Sequence, residues 1–137
     1  MSRVLVVSDS SSLILAAKAG ILLQVCREFT VQIPEKVFEE TVMAGKALGK
    51  PDALRIEEAV ESGGITVRKA ASGDKKTEKR LEVFNLDEGE KQAIKLYLQA
   101  AADLLLVDDR QAINTAKLLD ICWATVPDVI VSFAEKK

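Results

Sequence analysis

The chain alternates along its length between short apolar runs and longer segments with helical periodicity. The first run, "VLVVS" at residues 4–8, is apolar on both of its alternating faces and rich in valine. That is the pattern of a strand covered on both sides, as in a parallel sheet. "TVQIP", "ITVRKA", "DLLLV" and "ICWATV" are the further strand candidates. Between them lie "LILAAKAG", "ILLQVCREF", "EKVFEETVMAG", "DALRIEEAVESGG", "LDEGEKQAIKLYLQAA" and "RQAINTAKLL", which read as helices. Ser10 to Ser12 can cap the first of these, Pro34 suits a first helical turn, and Gly63-Gly64 is a stop. The stretch 45–51 reads as a break and "SGDKKTEKR" as a polar loop, while the tail "PDVIVSFAEKK" leans to helix. Strands alternating with helices predict a three-layer α/β/α sandwich around a central parallel sheet. At 137 residues, one domain over 1–137 is expected.

Composition narrows the chemistry. There is no histidine, which removes Ser-His-Asp and Cys-His catalysis and His-ligated zinc. Catalysis near neutral pH must then use a perturbed carboxylate, a lysine or a metal-bound water. Charged residues recur too often for a membrane span of about 20 apolar residues. The start "MSRVLVVSD" enters a strand pattern directly, with no signal-peptide pattern. Cys26 and Cys122 lie far apart in apolar surroundings and read as buried side chains in a reducing compartment. The chain is therefore expected to be cytoplasmic. A net charge of −2 neither supports nor excludes a nucleic-acid partner.

The acids are placed unevenly. Two strand candidates end in them: "VLVVS" in Asp9, and "LLLV" in the adjacent pair Asp108 and Asp109. In a parallel α/β sheet, functional groups collect beyond the carboxyl ends of the strands. Each of these acids can also serve as a helix cap, but two together carry a Coulomb cost that a bound cation offsets. Glu90 leads the apolar stripe of Ala93, Ile94, Tyr97 and Ala101, so it faces inward and needs a partner. Asp87, at capping-box spacing, is one such partner. Glu39 and Glu40 both flank the apolar face of Val37, Phe38, Thr41 and Val42, and periodicity does not choose between them. The stretch 68–80 carries six Lys or Arg against two acids. It is either a solvated surface or a phosphate-backbone contact through Lys75, Lys76, Lys79 and Arg80.

Taken in order, "VVSDSSSLILAAKAG", "IPEKVFEETV", "LDEGEKQAIKLY", "LLLVDDRQAINTAKLL" and "ICWATV" resemble a PIN domain. The pairing of "LDEGEKQAI" with "LLLVDDR" is similar to one branch of that family, and the resemblance spans essentially the whole chain. It implies a PIN-like fold and a metal-dependent endoribonuclease, as in the VapC-type toxins, with an RNA substrate, a cognate antitoxin and a homodimer among its partners. The apolar helix "ILLQVCREF" or the tail segment "VIVSF" would supply the dimer interface. By resemblance the site acids are Asp9, Glu40, Glu90 and Asp109, with Asp108 sharing the last role. Ser10 and Thr125 are supporting residues, although alanine at position 124 stands where glycine is usual. Asp9, Glu90, Asp109 and Asp108 would hold the metal. An all-carboxylate set suits Mg²⁺ or Mn²⁺.

Two other classes share some of these features. A receiver-like phosphoacceptor also gathers aspartates at strand ends around Mg²⁺, but needs a lysine after a late strand, and "ICWATVP" supplies none. A catalytically inactive PIN-fold binding module would keep the fold without turnover.

Overall fold

Val6 and Val7, neighbours on the first strand, are both fully buried and belong to different hydrophobic clusters. A strand is apolar at every position when both of its faces are covered. The computed structural model describes residues 3–69 and 75–135. In chain order the elements are β1 (Leu5–Ser8), α1 (Ser10–Lys18), α2 (Leu22–Glu28), β2 (Thr30–Pro34), α3 (Glu35–Phe38), a π-helical turn (Glu39–Met43), α4 (Ala44–Ala47), α5 (Pro51–Glu61), β3 (Ile65–Arg68), α6 (Lys75–Glu82), α7 (Glu88–Ala100), β4 (Leu104–Leu106), α8 (Arg110–Leu118), β5 (Trp123–Ala124) and α9 (Val126–Glu135).

The five strands form one parallel sheet in the order β3-β2-β1-β4-β5. Residues of α1, α2, α5 and α9 build the core on one face, with Val31, Ile33 and Leu106. Residues of α6, α7 and α8 build it on the other, with Val7 and Leu105. Each fully buried aliphatic side chain contributes about 1.5–3 kcal/mol. This is the three-layer α/β/α sandwich expected from the alternating pattern. The tail is helical because Val126, Val129 and Phe133 recur on one face, and Phe133 stacks on Phe29 with ring centroids 6.1 Å apart. Strand order separates the fold from a receiver domain, whose order is 2-1-3-4-5. Here the winding reverses between β1 and β4, and the crevice outside their carboxyl ends is the expected binding place.

Four expectations change. From Lys75 the polar stretch is helix rather than loop: Leu81 is fully buried, and Glu78 pairs with Lys95 of α7. Residues 72–74 of that stretch lie outside the described residues. Position 45 does not stop the helix, which runs on to Ala47. The cap of α1 is Asp9, not a serine. Cys122 is exposed and Cys26 half-buried, both as free thiols. Among the described residues, no single helix is long and apolar enough to cross a membrane.

Gly45 lies where α4 meets α5. A Cβ built on it would stand 2.8 Å from the Ala53 Cβ. The turn that follows is fixed by amide bonds from Lys50 to the Gly45 carbonyl (2.8 Å) and from Gly49 to the Lys46 carbonyl (3.0 Å), with Gly49 at φ +70°. This is a Schellman closure, and Lys50 then caps α5. Gly45→Ala gains up to about 1 kcal/mol of helix propensity and loses about 1–3 kcal/mol to overpacking. Urea denaturation of this variant should show a net loss of about 1 kcal/mol.

Candidate active site

Asp9 follows β1 directly and is almost wholly buried, at 2% exposure. Its amide donates to the Leu106 carbonyl at 3.1 Å, which ties the ends of β1 and β4 together. Its carboxylate accepts the Ser12 amide at 2.8 Å and the Asp108 amide. Burial pushes its pKa up. The Ser12 and Asp108 hydrogen bonds oppose the rise, and the nearby Asp108 charge adds to it.

Glu40 reaches the same crevice through the π-helical turn. The Ala44 amide bonds the Glu39 carbonyl, five residues back, and Thr41 Oγ1 donates to the Val37 carbonyl at 2.8 Å. The wider turn shifts the helical register at this point, a distortion often found at functional sites. Glu40 Oε1 accepts from Ser10 Oγ at 2.7 Å. Glu39 faces solvent beside Lys36, 3.7 Å away. The structure thus separates two acids that periodicity could not.

Glu90 and Asp87 form a complete capping box at the start of α7. The Glu90 amide donates to Asp87 Oδ1 at 2.8 Å, and the Asp87 amide to Glu90 Oε1 at 3.1 Å. Partial burial first, and then the charges of Asp87 and Asp109, raise the Glu90 pKa to about 7, against the Asp87 amide bond. Glu90 also shares a side-chain hydrogen bond with Asp109. Between two carboxyl groups such a bond requires a proton on one of them. Asp109 caps α8, accepting the Gln111 amide at 2.9 Å.

Asp9, Ser10, Glu40, Asp87, Glu90 and Asp109 line one cavity of about 240 Å³, together with Ser11 and Ile14. The structure therefore brings together four of the five expected acids. Asp108 is exposed at its edge and contributes its amide to Asp9. Thr125 is spent elsewhere: its Oγ1 and amide both donate to Asp128 Oδ2 at 2.9 Å, capping α9. Those bonds hold the exposed Asp128 carboxyl below its ordinary range. Lys75, Lys76, Lys79 and Arg80 are exposed on α6, and none lines the cavity.

Two residues of this site escaped the sequence reading as site residues. In the sequence Asp87 reads only as a cap, and Gly89 reads only as part of the helix, yet a Cβ there would overlap the Glu40 carboxylate. The signal was present, because glycine in the first turns of an otherwise strong helix lacks a propensity reason.

The donor set is all oxygen and fits a hard divalent cation. Asp9, Glu40, Glu90 and Asp109, which line the cavity, are the residues that would hold one. Among the described residues, no three acids already stand as a closed metal-binding group. Their oxygens are engaged with helix amides, with Ser10 and with one another.

The family model described as DUF3368: PIN domain matches residues 5–137. A comparison with curated proteins gave no match. Among solved structures, the chain is similar to a PilT N-terminus domain protein, SSO1118, from Sulfolobus solfataricus P2, at 22% identity and TM-score 0.64, covering 93% of this chain and 92% of that one. It is similar to PAE2754 from Pyrobaculum aerophilum, at 15% identity and TM-score 0.66, with 96% of each chain covered. It is also similar to VapBC2 from Rickettsia felis, solved bound to a DNA fragment from their promoter, at 10% identity and TM-score 0.61, covering 88% and 98%.

The raised pKa of Glu90 has a consequence for stability. Its folded value of about 7 lies above the ordinary 4.5, so folding favours the protonated form. That stability is fully present below about pH 4.5 and is lost as pH rises through about 7. Asp9 shifts in the same direction. The melting temperature of the metal-free protein should therefore fall between pH 5 and pH 8 more than that of Glu90→Gln. Parallel melting curves for the two proteins would refute the coupling.

Proposed function

This chain belongs to the PIN-domain family, whose members are in general nucleases, and from that premise we propose that it is a metal-dependent endoribonuclease. The observation that carries the reading is the cavity in which Asp9, Glu40, Glu90 and Asp109 meet, with no lysine or arginine lining it among the described residues. Carboxylates gathered at such a cost are accounted for by a cation they must bind. Asp9, Glu90 and Asp109 would be its principal ligands, with Glu40 and Asp108 as further ligands or orienting groups. When bound, Mg²⁺ or Mn²⁺ supplies an activated water and neutralises charge on a phosphodiester.

The chain's own groups set the geometry. Asp9 is aimed by two amides and cannot swing away from the crevice. Ser10 holds Glu40, and Gly89 leaves the space that Glu40 fills. Glu90 shares a side-chain hydrogen bond with Asp109, which sets their carboxyl groups side by side where they would hold the cation. The substrate proposed is RNA that is single-stranded or looped, since its phosphates must be brought out to an acidic cleft. The cationic face of α6 offers an outlying contact for the RNA backbone.

Likeness to VapBC2 supports the further proposal that the chain is the toxin of a toxin–antitoxin pair, acting in the cytoplasm with a cognate antitoxin as protein partner. Self-association as a homodimer belongs to the same proposal.

Labelled RNA should be cut with Mn²⁺ and left intact with EDTA. Asp9→Asn and Glu90→Gln should each lose at least about 100-fold in rate, beyond the usual cost of an outer-shell change. Gly89→Ala should lose about 10- to 100-fold by displacing Glu40, while its melting temperature stays near wild type. Cleavage by both acid variants at the wild-type rate would overturn the assignment.

A further inference from the structure

A second groove, of about 190 Å³, opens beside the acid cavity and shares Ile14 and Glu40 with it. Its character is different. Ile14, Ala44, Leu48 and Ala53 give it an apolar lining, and Lys18 and Lys50 stand along it. Among the described residues, neither lysine makes an ion pair, whereas Lys36, Lys46, Arg55 and Lys95 each have an acidic partner. The groove's other acid, Asp52, lies 4.0 Å from Arg55. Leu48, on the turn between α4 and α5, is 74% exposed.

Lys50 is also fixed in place. Its amide closes the Schellman turn on the Gly45 carbonyl, and its carbonyl accepts the Ala53 amide at 3.2 Å. Lys18 sits in the last turn of α1, the helix whose first turn is capped by Asp9. One short helix thus joins the acid site to the cationic groove.

We propose that this groove seats the RNA nucleotide adjoining the scissile phosphodiester, with Lys18 and Lys50 on its phosphates and Leu48 and Ile14 against its base. The proposal rests on the nuclease reading above. An acid cavity repels the strand it must cut, and unpaired ammonium groups beside it offset that repulsion. Lysines that contact phosphates add affinity through counterion release, and an apolar platform adds base contact without reading sequence.

Fluorescence anisotropy of a labelled single-stranded RNA in EDTA tests this on the full chain, because cleavage is silent there. Lys18→Ala/Lys50→Ala should raise Kd about ten-fold and flatten the dependence of log Kd on log salt by about 1.4. Leu48→Ser should weaken binding with the salt slope unchanged. A control with the same charge loss, Arg27→Ala/Lys117→Ala, changes residues in the last turns of α2 and α8 that line neither the groove nor the acid cavity, and should bind like wild type. Equal weakening by the control, or wild-type binding by the lysine variant, would overturn the groove. If wild type still cuts RNA with Mn²⁺ in that case, the nuclease reading stands without it. If wild type neither binds nor cuts RNA, both fall.

Discussion

Mutual repulsion among carboxylates is the constraint around which this molecule is arranged. Asp9, Glu40, Glu90 and Asp109 face one cavity, and among the described residues no lysine or arginine lines it with them. The fold holds three of them by attaching them to helix starts. Asp9 caps α1, Asp109 caps α8, and Glu90 with Asp87 closes the first turn of α7. Amides at a helix start carry partial positive charge and are otherwise unsatisfied, so they stabilise a nearby anion. Three helices begin at the crevice because the strands are parallel and the winding reverses between β1 and β4. Topology thus supplies part of the positive potential that the side chains lack.

The compensation is incomplete. Glu90 keeps a pKa near 7, and burial keeps Asp9 above its ordinary range. Each cap uses an oxygen that a cation would otherwise take, so a ligand role for these acids must share them with the helix amides. Capping and cation binding are compatible because a carboxylate has two oxygens with about four acceptor sites. Gly89 shows a further accommodation to the site. It gives up helix propensity in the first turn of α7 so that the Glu40 carboxylate can lie over it.

Much of this was legible in the residues alone. A continuous apolar run such as "VLVVS" has few fates other than a strand buried on both faces, and alternation with helices then fixes the layers. Asp9 and Asp109 were visible because strand ends in such a sheet gather at one edge. Glu90 was visible because an acid heads an apolar stripe. Three features were hidden for physical reasons. The choice between Glu39 and Glu40 depends on a π-helical turn, which periodicity at 3.6 residues does not anticipate. Helix α6 was masked by its polar composition, although Leu81 on it is fully buried and its Glu78 pairs with Lys95. Thr125 looked like a site residue but is consumed by Asp128, and local capping competes with any more distant role.

We propose that the acids repel one another in the metal-free protein and gather to bind a cation. Asp109→Asn tests it most directly, because asparagine caps a helix about as well as aspartate but carries no charge. With EDTA, the variant should melt a few degrees above wild type at pH 7.5. With Mn²⁺, wild type should gain stability by mass action and the variant should gain little. A wild-type melting temperature indifferent to Mn²⁺, with no gain from Asp109→Asn in EDTA, would contradict the account.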